Sequence, residues 1–338
     1  MHDRFNAQTE FEALLRAMPS EDASARAGAK ARDAVLTKPP GALGRLEDIA
    51  AWYCAWRGQV QPQITAPQVI VFAGNHGVTA QGVSAFPADV TQQMVLNFQT
   101  GGAAINQLAA CAGARLDVHA LSLDVPTQDF TLGPAMTEAE FVAALQAGWD
   151  ALDPQADLLV AGEMGIGNTT SAAAIALALC GGAPEDWVGR GTGVDADGVA
   201  LKARVIAQGL RANPQAASNG LEALRCLGGR ELAAIAGAML HARHLRIPVI
   251  LDGFIATAAA LCLHRVNAGA LDHAIAGHES AENAHAALLR HLEKEPLLRL
   301  GMRLGEASGA ALAIQVVKAA LACHSGMATF AEAGVSDG

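Results

Sequence analysis

Short, wholly apolar runs that end at or near a glycine recur through the middle of the chain. VIVFAG (69–74), DLLVAG (157–162) and IPVILDG (247–253) are the clearest; LDVHALSL (116–123) and, more weakly, LDHAIAG (271–277) follow the same plan. A run without polar alternation suits a strand covered on both faces, as in the middle of a parallel sheet. Helical periodicity fills the intervals, at about 88–98, 102–112, 137–151, 169–180, 196–211, 230–245 and 254–266. Strands alternating with helices predict an α/β fold, a parallel sheet wrapped by helices with right-handed crossovers. Helices are expected again near 281–293 and 303–323, and through most of the first sixty residues, broken at Thr37-Lys38-Pro39-Pro40-Gly41. The expected organisation is a Rossmann-like large domain over 65–280. A smaller helical domain is built from 1–64 plus 281–338.

Composition narrows the function classes. Hydrophobic residues make up 51% and charged ones 17%, so a large core is expected and global disorder is excluded. The apolar runs stop near nine residues, as at Ala172–Cys180, against the roughly 20 needed for a bilayer span, so no membrane segment is expected. A net charge of −10 argues against a nucleic-acid surface but still allows one phosphate to be held locally. The opening MHDRFNAQTE lacks the layout of a secretory signal. Six cysteines without a CxxC pair suit reduced thiols, and together these features predict a cytoplasmic protein.

Ligands of open α/β sheets sit beyond the carboxyl ends of the strands, so the segments after the strands carry the candidates. In AGNHGVTAQGVSAFPADVTQQMV (73–95), His76 is either a functional group or a hydrogen-bonded structural one. In AGEMGIGNTTSAAAI (161–175), glycines precede Asn168, Thr169 and Thr170 at a helix start, where free N–H groups attract anions. Glu163, directly after an apolar strand, is a functional carboxylate or a satisfied cap. VGRGTGVDADGVALKARV (188–205) spaces Gly189, Gly191 and Gly193 by two, and Lys202 reaches back toward a phosphate or lies on the surface. In MRLGEASGAAL (302–312), Glu306 is a first-turn acid or a general base tuned by partial burial. Neither GxGxxG nor GxxxxGK[ST] occurs, nor a zinc-protease or GxSxG motif.

Taken together, TKPPGALGRLE (37–47), GNHGV (74–78), GEMGIGNTT (162–170), PVILDGF (248–254), RLGEASGAAL (303–312) and TFAEAGVSD (329–337) resemble the nicotinate-nucleotide–dimethylbenzimidazole phosphoribosyltransferase family over essentially the whole chain. The resemblance implies transfer of phosphoribose from nicotinate mononucleotide to a benzimidazole nitrogen with inversion. It implies no metal or cofactor, and a homodimer. It assigns Glu306, from the smaller domain, as general base, with Glu163 near the ribose. Gly165, Asn168, Thr169, Gly191 and Lys202 would hold phosphate and ribose; His76, Phe86, Met94 and Ser308 would surround the acceptor ring. Phe86 stands where members carry serine, and Met94 where some carry glutamine, so the acceptor pocket should be more apolar. Two alternatives stay open: a related enzyme using adenine or a phenol as acceptor, and a non-catalytic nucleotide-binding regulator.

Overall fold

The computed structural model describes residues 4–191 and 193–336, so Thr192 in the glycine-rich segment and Asp337 of the last motif lie outside the described residues. Six strands form one all-parallel sheet: β1 (Pro67–Ala73), β2 (Arg115–Ala120), β3 (Leu158–Met164), β4 (Val249–Leu251), β5 (Ala274–His278) and β6 (Pro296–Leu298), in the order β2-β1-β3-β4-β5-β6. The chain runs outward from β1 to β2 and then returns to β1's other side with β3. That reversal makes the β1/β3 boundary the switch point of the sheet, the region near which open sheets bind ligands.

The apolar runs are strands because both faces are covered. Ile70, Phe72, Leu159, Ala161, Val249 and Leu251 point into one core layer, while Val69, Val71, Leu158, Val160 and Ile250 point into the other. This two-residue alternation is the geometry of a strand, with apolar residues on both sides. The first layer is closed by helices including Glu138–Ala151, Asn168–Cys180, Arg230–His244 and Phe254–Val266, and the second by Arg45–Arg57, Ala104–Ala112 and Ser308–Gly326. The N- and C-terminal segments meet: Arg32 Nε donates to His324 O at 2.9 Å, and Leu36 bridges Thr329. Helix Gln8–Arg16 lies elsewhere, with Phe5 and Phe11 edge-on to each other and Phe5 edge-on to Trp149.

Several expectations need correction. The stretch after 281 is not purely helical, because β6 pairs there with β5. A helix at Gly220–Leu227 was not anticipated. The last long helix starts at Ser308 rather than 303, because Gly305, Glu306 and Ala307 all have positive φ. This Ser308–Gly326 helix is long and apolar enough to cross a membrane by length and composition alone. It is instead packed into the second core layer through Ala310, Ala311, Ile314, Val317 and Leu321. Its polar Gln315 and Lys318 bond to the carbonyls of Cys111 and Ala112.

Candidate active site

Beyond the carboxyl ends of β3, β4 and β5 lies a cavity of about 530 Å³. Its walls include Phe86, Val90 and Met94 on one side, Glu163, Gly165, Asn168 and Thr169, then Gly191, Ser280 and Glu282, and finally Arg303 to Glu306. Residues from six separate stretches of sequence, Gly253–Ile255 after β4 among them, thus converge on one space, and most of the expected site residues are there.

Glu163 leaves β3 and is buried. Asn168 Nδ2 donates to its Oε2, and the Asn168 N–H returns to Gly165 O at 3.2 Å, which closes the 165–168 turn. Thr91 Oγ1 accepts the Ile166 N–H at 3.2 Å, tying that turn to the helix Asp89–Gln99, which also carries Val90 and Met94. Burial pushes the Glu163 carboxyl well above the usual carboxylate range. The negative charges of Asp252, Glu231 and Glu306 add to this, against the opposing bond from Asn168.

Glu306 enters from the far side. It is buried and precedes the N-cap of the Ser308–Gly326 helix, so the first-turn reading does not describe it. Gly305 has φ +80°, and a Cβ there would lie 2.4 Å from Glu163 Oε1, so only glycine lets the two acids approach across this loop. Glu306 and Ala307 hold φ of 59° and 66°, a left-handed conformation that costs non-glycine residues of order 1 kcal/mol each. Burial first, and then the charge of Asp252, push the Glu306 carboxyl up to about 7. A base with that proton affinity changes state near neutrality.

At the cavity's other end, the thirteen-residue helix Asn168–Cys180 presents its N-terminus. Lys202, in the helix Ala196–Ala212, does not line the cavity but stands one layer behind it: Nζ donates to Thr169 Oγ1 at 3.1 Å and to Gly189 O at 3.3 Å. Burial lowers its ammonium pKa, and the charge of Glu282 partly opposes that.

His76 and Ser308 also do not line the cavity. The His76 ring is buried, with Nδ1 3.0 Å from Ser171 Oγ and Nε2 against Glu231 Oε1. Ser308 is buried as the first residue of its helix, its N–H donating to Gly305 O at 3.0 Å.

Sequence reasoning missed Asp252, Glu231, Glu282 and Arg303. The signal for Asp252 was available, since it ends the apolar run of β4 as Glu163 ends that of β3. Arg303 sits three residues before Glu306 and donates from Nη1 to Gly191 O at 3.2 Å, so it joins the base loop to the glycine-rich loop.

A family described as phosphoribosyltransferase matches residues 18–335. Nicotinate-nucleotide–dimethylbenzimidazole phosphoribosyltransferase from Ruegeria pomeroyi is 70% identical over 329 residues, 97% of each chain. The enzyme of that name from a Jannaschia species is 68% identical, over 97% of this chain and 98% of the relative. The crystal structure of CobT from Thermus thermophilus superposes with a TM-score of 0.86 at 43% identity, covering 93% of this chain and all of that one. With the architecture, the acid-lined cavity and these full-length matches in agreement, the chain belongs to the nicotinate-nucleotide–dimethylbenzimidazole phosphoribosyltransferase family.

Proposed function

We propose that the protein transfers the 5-phosphoribosyl group of nicotinate mononucleotide to 5,6-dimethylbenzimidazole, giving α-ribazole 5′-phosphate and nicotinate, the step that builds the cobalamin lower ligand. The observation that carries this reading is the position of Glu306: a carboxyl near neutrality, on the wall of a cavity with an apolar side at Phe86 and Met94 and a helix N-terminus at Asn168.

The chemistry asks little of the protein beyond placement and one proton. The C1′–N bond to nicotinate breaks with its electron pair going to the ring, so a pyridinium leaves as a neutral pyridine. An azole nitrogen attacks C1′ from the opposite face, which inverts the anomeric configuration. Glu306 accepts the azole N–H proton, making the other ring nitrogen the better nucleophile. Glu163 faces the ribose, where its buried carboxyl is placed to hydrogen-bond the sugar. The phosphate lies toward Gly165, Gly191 and Thr169 with Lys202 behind them; its charge would restore to the buried ammonium the counter-ion that burial withholds.

The aromatic acceptor stacks in the region of Phe86, itself half-exposed at the cavity's lip, with Met94 and Val90. This apolar wall supports a benzimidazole; a purine or a phenol is the second reading. The division into 65–280 and 1–64 plus 281–338, with Glu306 delivered by the smaller unit, is part of the proposal and is supported by the joined N- and C-terminal segments. So are a homodimer, which follows from the family resemblance, and a cytoplasmic location, which the six free cysteines suit.

The test is nicotinate release from nicotinate mononucleotide with a panel of benzimidazoles, adenine and phenols. Dimethylbenzimidazole is expected to give the fastest turnover. Glu306→Ala should bind the mononucleotide normally and lose most of its turnover, by the 10²–10⁴-fold that general-base catalysis supplies. No release with any acceptor would overturn the enzymatic reading, and unchanged turnover in Glu306→Ala would remove the base assignment.

A further inference from the structure

Helix Ser308–Gly326 begins with no side-chain cap of its own, because its N-cap is Ala307. The third residue of that helix, Ala310, gives its N–H instead to Asp252 Oδ1 at 3.0 Å, from a residue 58 positions earlier in the chain. Asp252 follows β4 directly and is 1% exposed. It therefore does in trans what an N-cap aspartate does locally, satisfying an amide that would otherwise be orphaned in the interior. The two residues before this helix start are Glu306 and Ala307, both held at positive φ, a conformation that persists only where the surroundings dictate it.

We propose that Asp252 is a positioning residue for Glu306, pinning the helix start immediately behind the base and keeping a carboxylate beside it. This rests on the assignment of Glu306 as the base. The titratable groups around Glu306 come from every neighbouring element. Glu163 lies one residue before the end of β3, Asp252 follows β4, His278 ends β5, Glu282 lies in the next loop, and Arg303 is on the base's own loop. Among these, Asp252 is the charge whose repulsion of a second negative charge raises the proton affinity of Glu306, beyond the effect of burial. His278 does not quench it by a hydrogen bond: Nδ1 is 3.8 Å from Asp252 Oδ1, and that buried nitrogen has no hydrogen-bond partner among the described residues. Two roles thus meet in one side chain. The bond to Ala310 fixes where the base is, and the charge sets when it accepts a proton.

Asp252→Asn separates the two roles, because its amide oxygen still accepts the Ala310 N–H while the charge is gone. The experiment measures kcat for nicotinate release between pH 5 and 9 at saturating mononucleotide and dimethylbenzimidazole. The acid limb, where activity appears as Glu306 loses its proton, should move to lower pH by about one unit, as expected when one nearby like charge is removed. The plateau should fall several-fold, because a less basic carboxylate is a weaker catalyst. Asp252→Ser, a hydroxyl acceptor without charge, is measured in parallel and should move the limb in the same direction, so a folding failure of either variant leaves the comparison intact. An acid limb unmoved in the folded variants would overturn the proposal and leave Asp252 as a helix cap alone. Glu306→Gln serves as the control: it should abolish the limb, and a limb that survives in it would instead overturn the base assignment.

Discussion

Lys202 shows how a side chain can matter to a ligand it does not border. Its ammonium is held by Thr169 Oγ1 and Gly189 O behind the cavity wall, and burial works against its charge. A dianionic phosphate at Gly191 and Thr169 would relieve that cost, so the interaction should depend on the phosphate and not on the rest of the nucleotide. Lys202→Ala is expected to weaken nicotinate mononucleotide by on the order of 10- to 100-fold, the value of a charged hydrogen bond. The phosphate-free nucleoside should be affected far less. Calorimetric titration of both ligands checks this, and equal losses would show that Lys202 does not serve the phosphate. Glu163 and Glu306 were legible as candidates because each is an acid set among glycines beside an apolar element, where an unpaired carboxylate is costly. Asp252 and Glu231 were not singled out. For Asp252 the signal was its place at the end of an apolar run; for Glu231 the importance comes from which elements stand beside it, and spacing along the chain does not carry that information. His76 illustrates the limit in the other direction. The reading of it as a hydrogen-bonded structural group was open from the start, and its partners Ser171 and Glu231 lie 95 and 155 residues away.

At the scale of elements, helices Glu138–Ala151 and Arg230–His244 approach each other backbone to backbone. A Cβ on Gly148 would sit 1.7 Å from Ala234 O, and one on Gly237 would sit 2.0 Å from Leu145 O. Both obstacles are backbone atoms, so no rotamer change can make room. Replacing Gly148 by alanine gains about 1 kcal/mol of helix propensity. It also forces two helices that pack against the sheet to part, which overpacking data put at about 1–3 kcal/mol or more. The second effect should win: Gly148→Ala is expected to lower the urea midpoint, whereas an alanine at exposed Gly326, with nothing near its Cβ, should not. The strands β1, β3 and β4 could be read from sequence because burial on both faces leaves an unbroken apolar run. β6 could not, since Pro296–Leu298 is an edge strand that takes its strand identity from β5 alone. The loop 303–307 was read as helix for a related reason. Its apolar and charged residues suit a helix, but Gly305, Glu306 and Ala307 take left-handed backbone, and Gly305 passes too close to Glu163 to carry a Cβ.

For the molecule as a whole, the site is a concentration of buried acidic groups placed where the sheet's strands end. Glu163, Asp252, Glu231 and Glu306 are all buried near one cavity, in a protein whose net charge is already −10. Such a cluster works against the stability of the fold, and its cost has a definite pH dependence. Glu306 has a folded-state pKa of about 7 against an ordinary 4.5, and Glu163 is shifted in the same direction. A carboxyl whose pKa is raised by folding keeps its proton in the native state while the unfolded chain has already lost it. The penalty from Glu306 is therefore absent below pH 4.5, grows as pH rises from there toward 7, and levels off above the folded pKa. Glu306→Gln removes one ionisable group from that account. Relative to the natural protein, its thermal midpoint should be higher at pH 8, and the difference should shrink toward none at pH 4. A gain of the same size at both pH values would mean that the variant is stabilised by packing and not by relief of charge. A stabilised but inactive Glu306→Gln would place the destabilising acid and the working acid at the same residue, the trade expected where catalysis requires a group the fold would rather not bury.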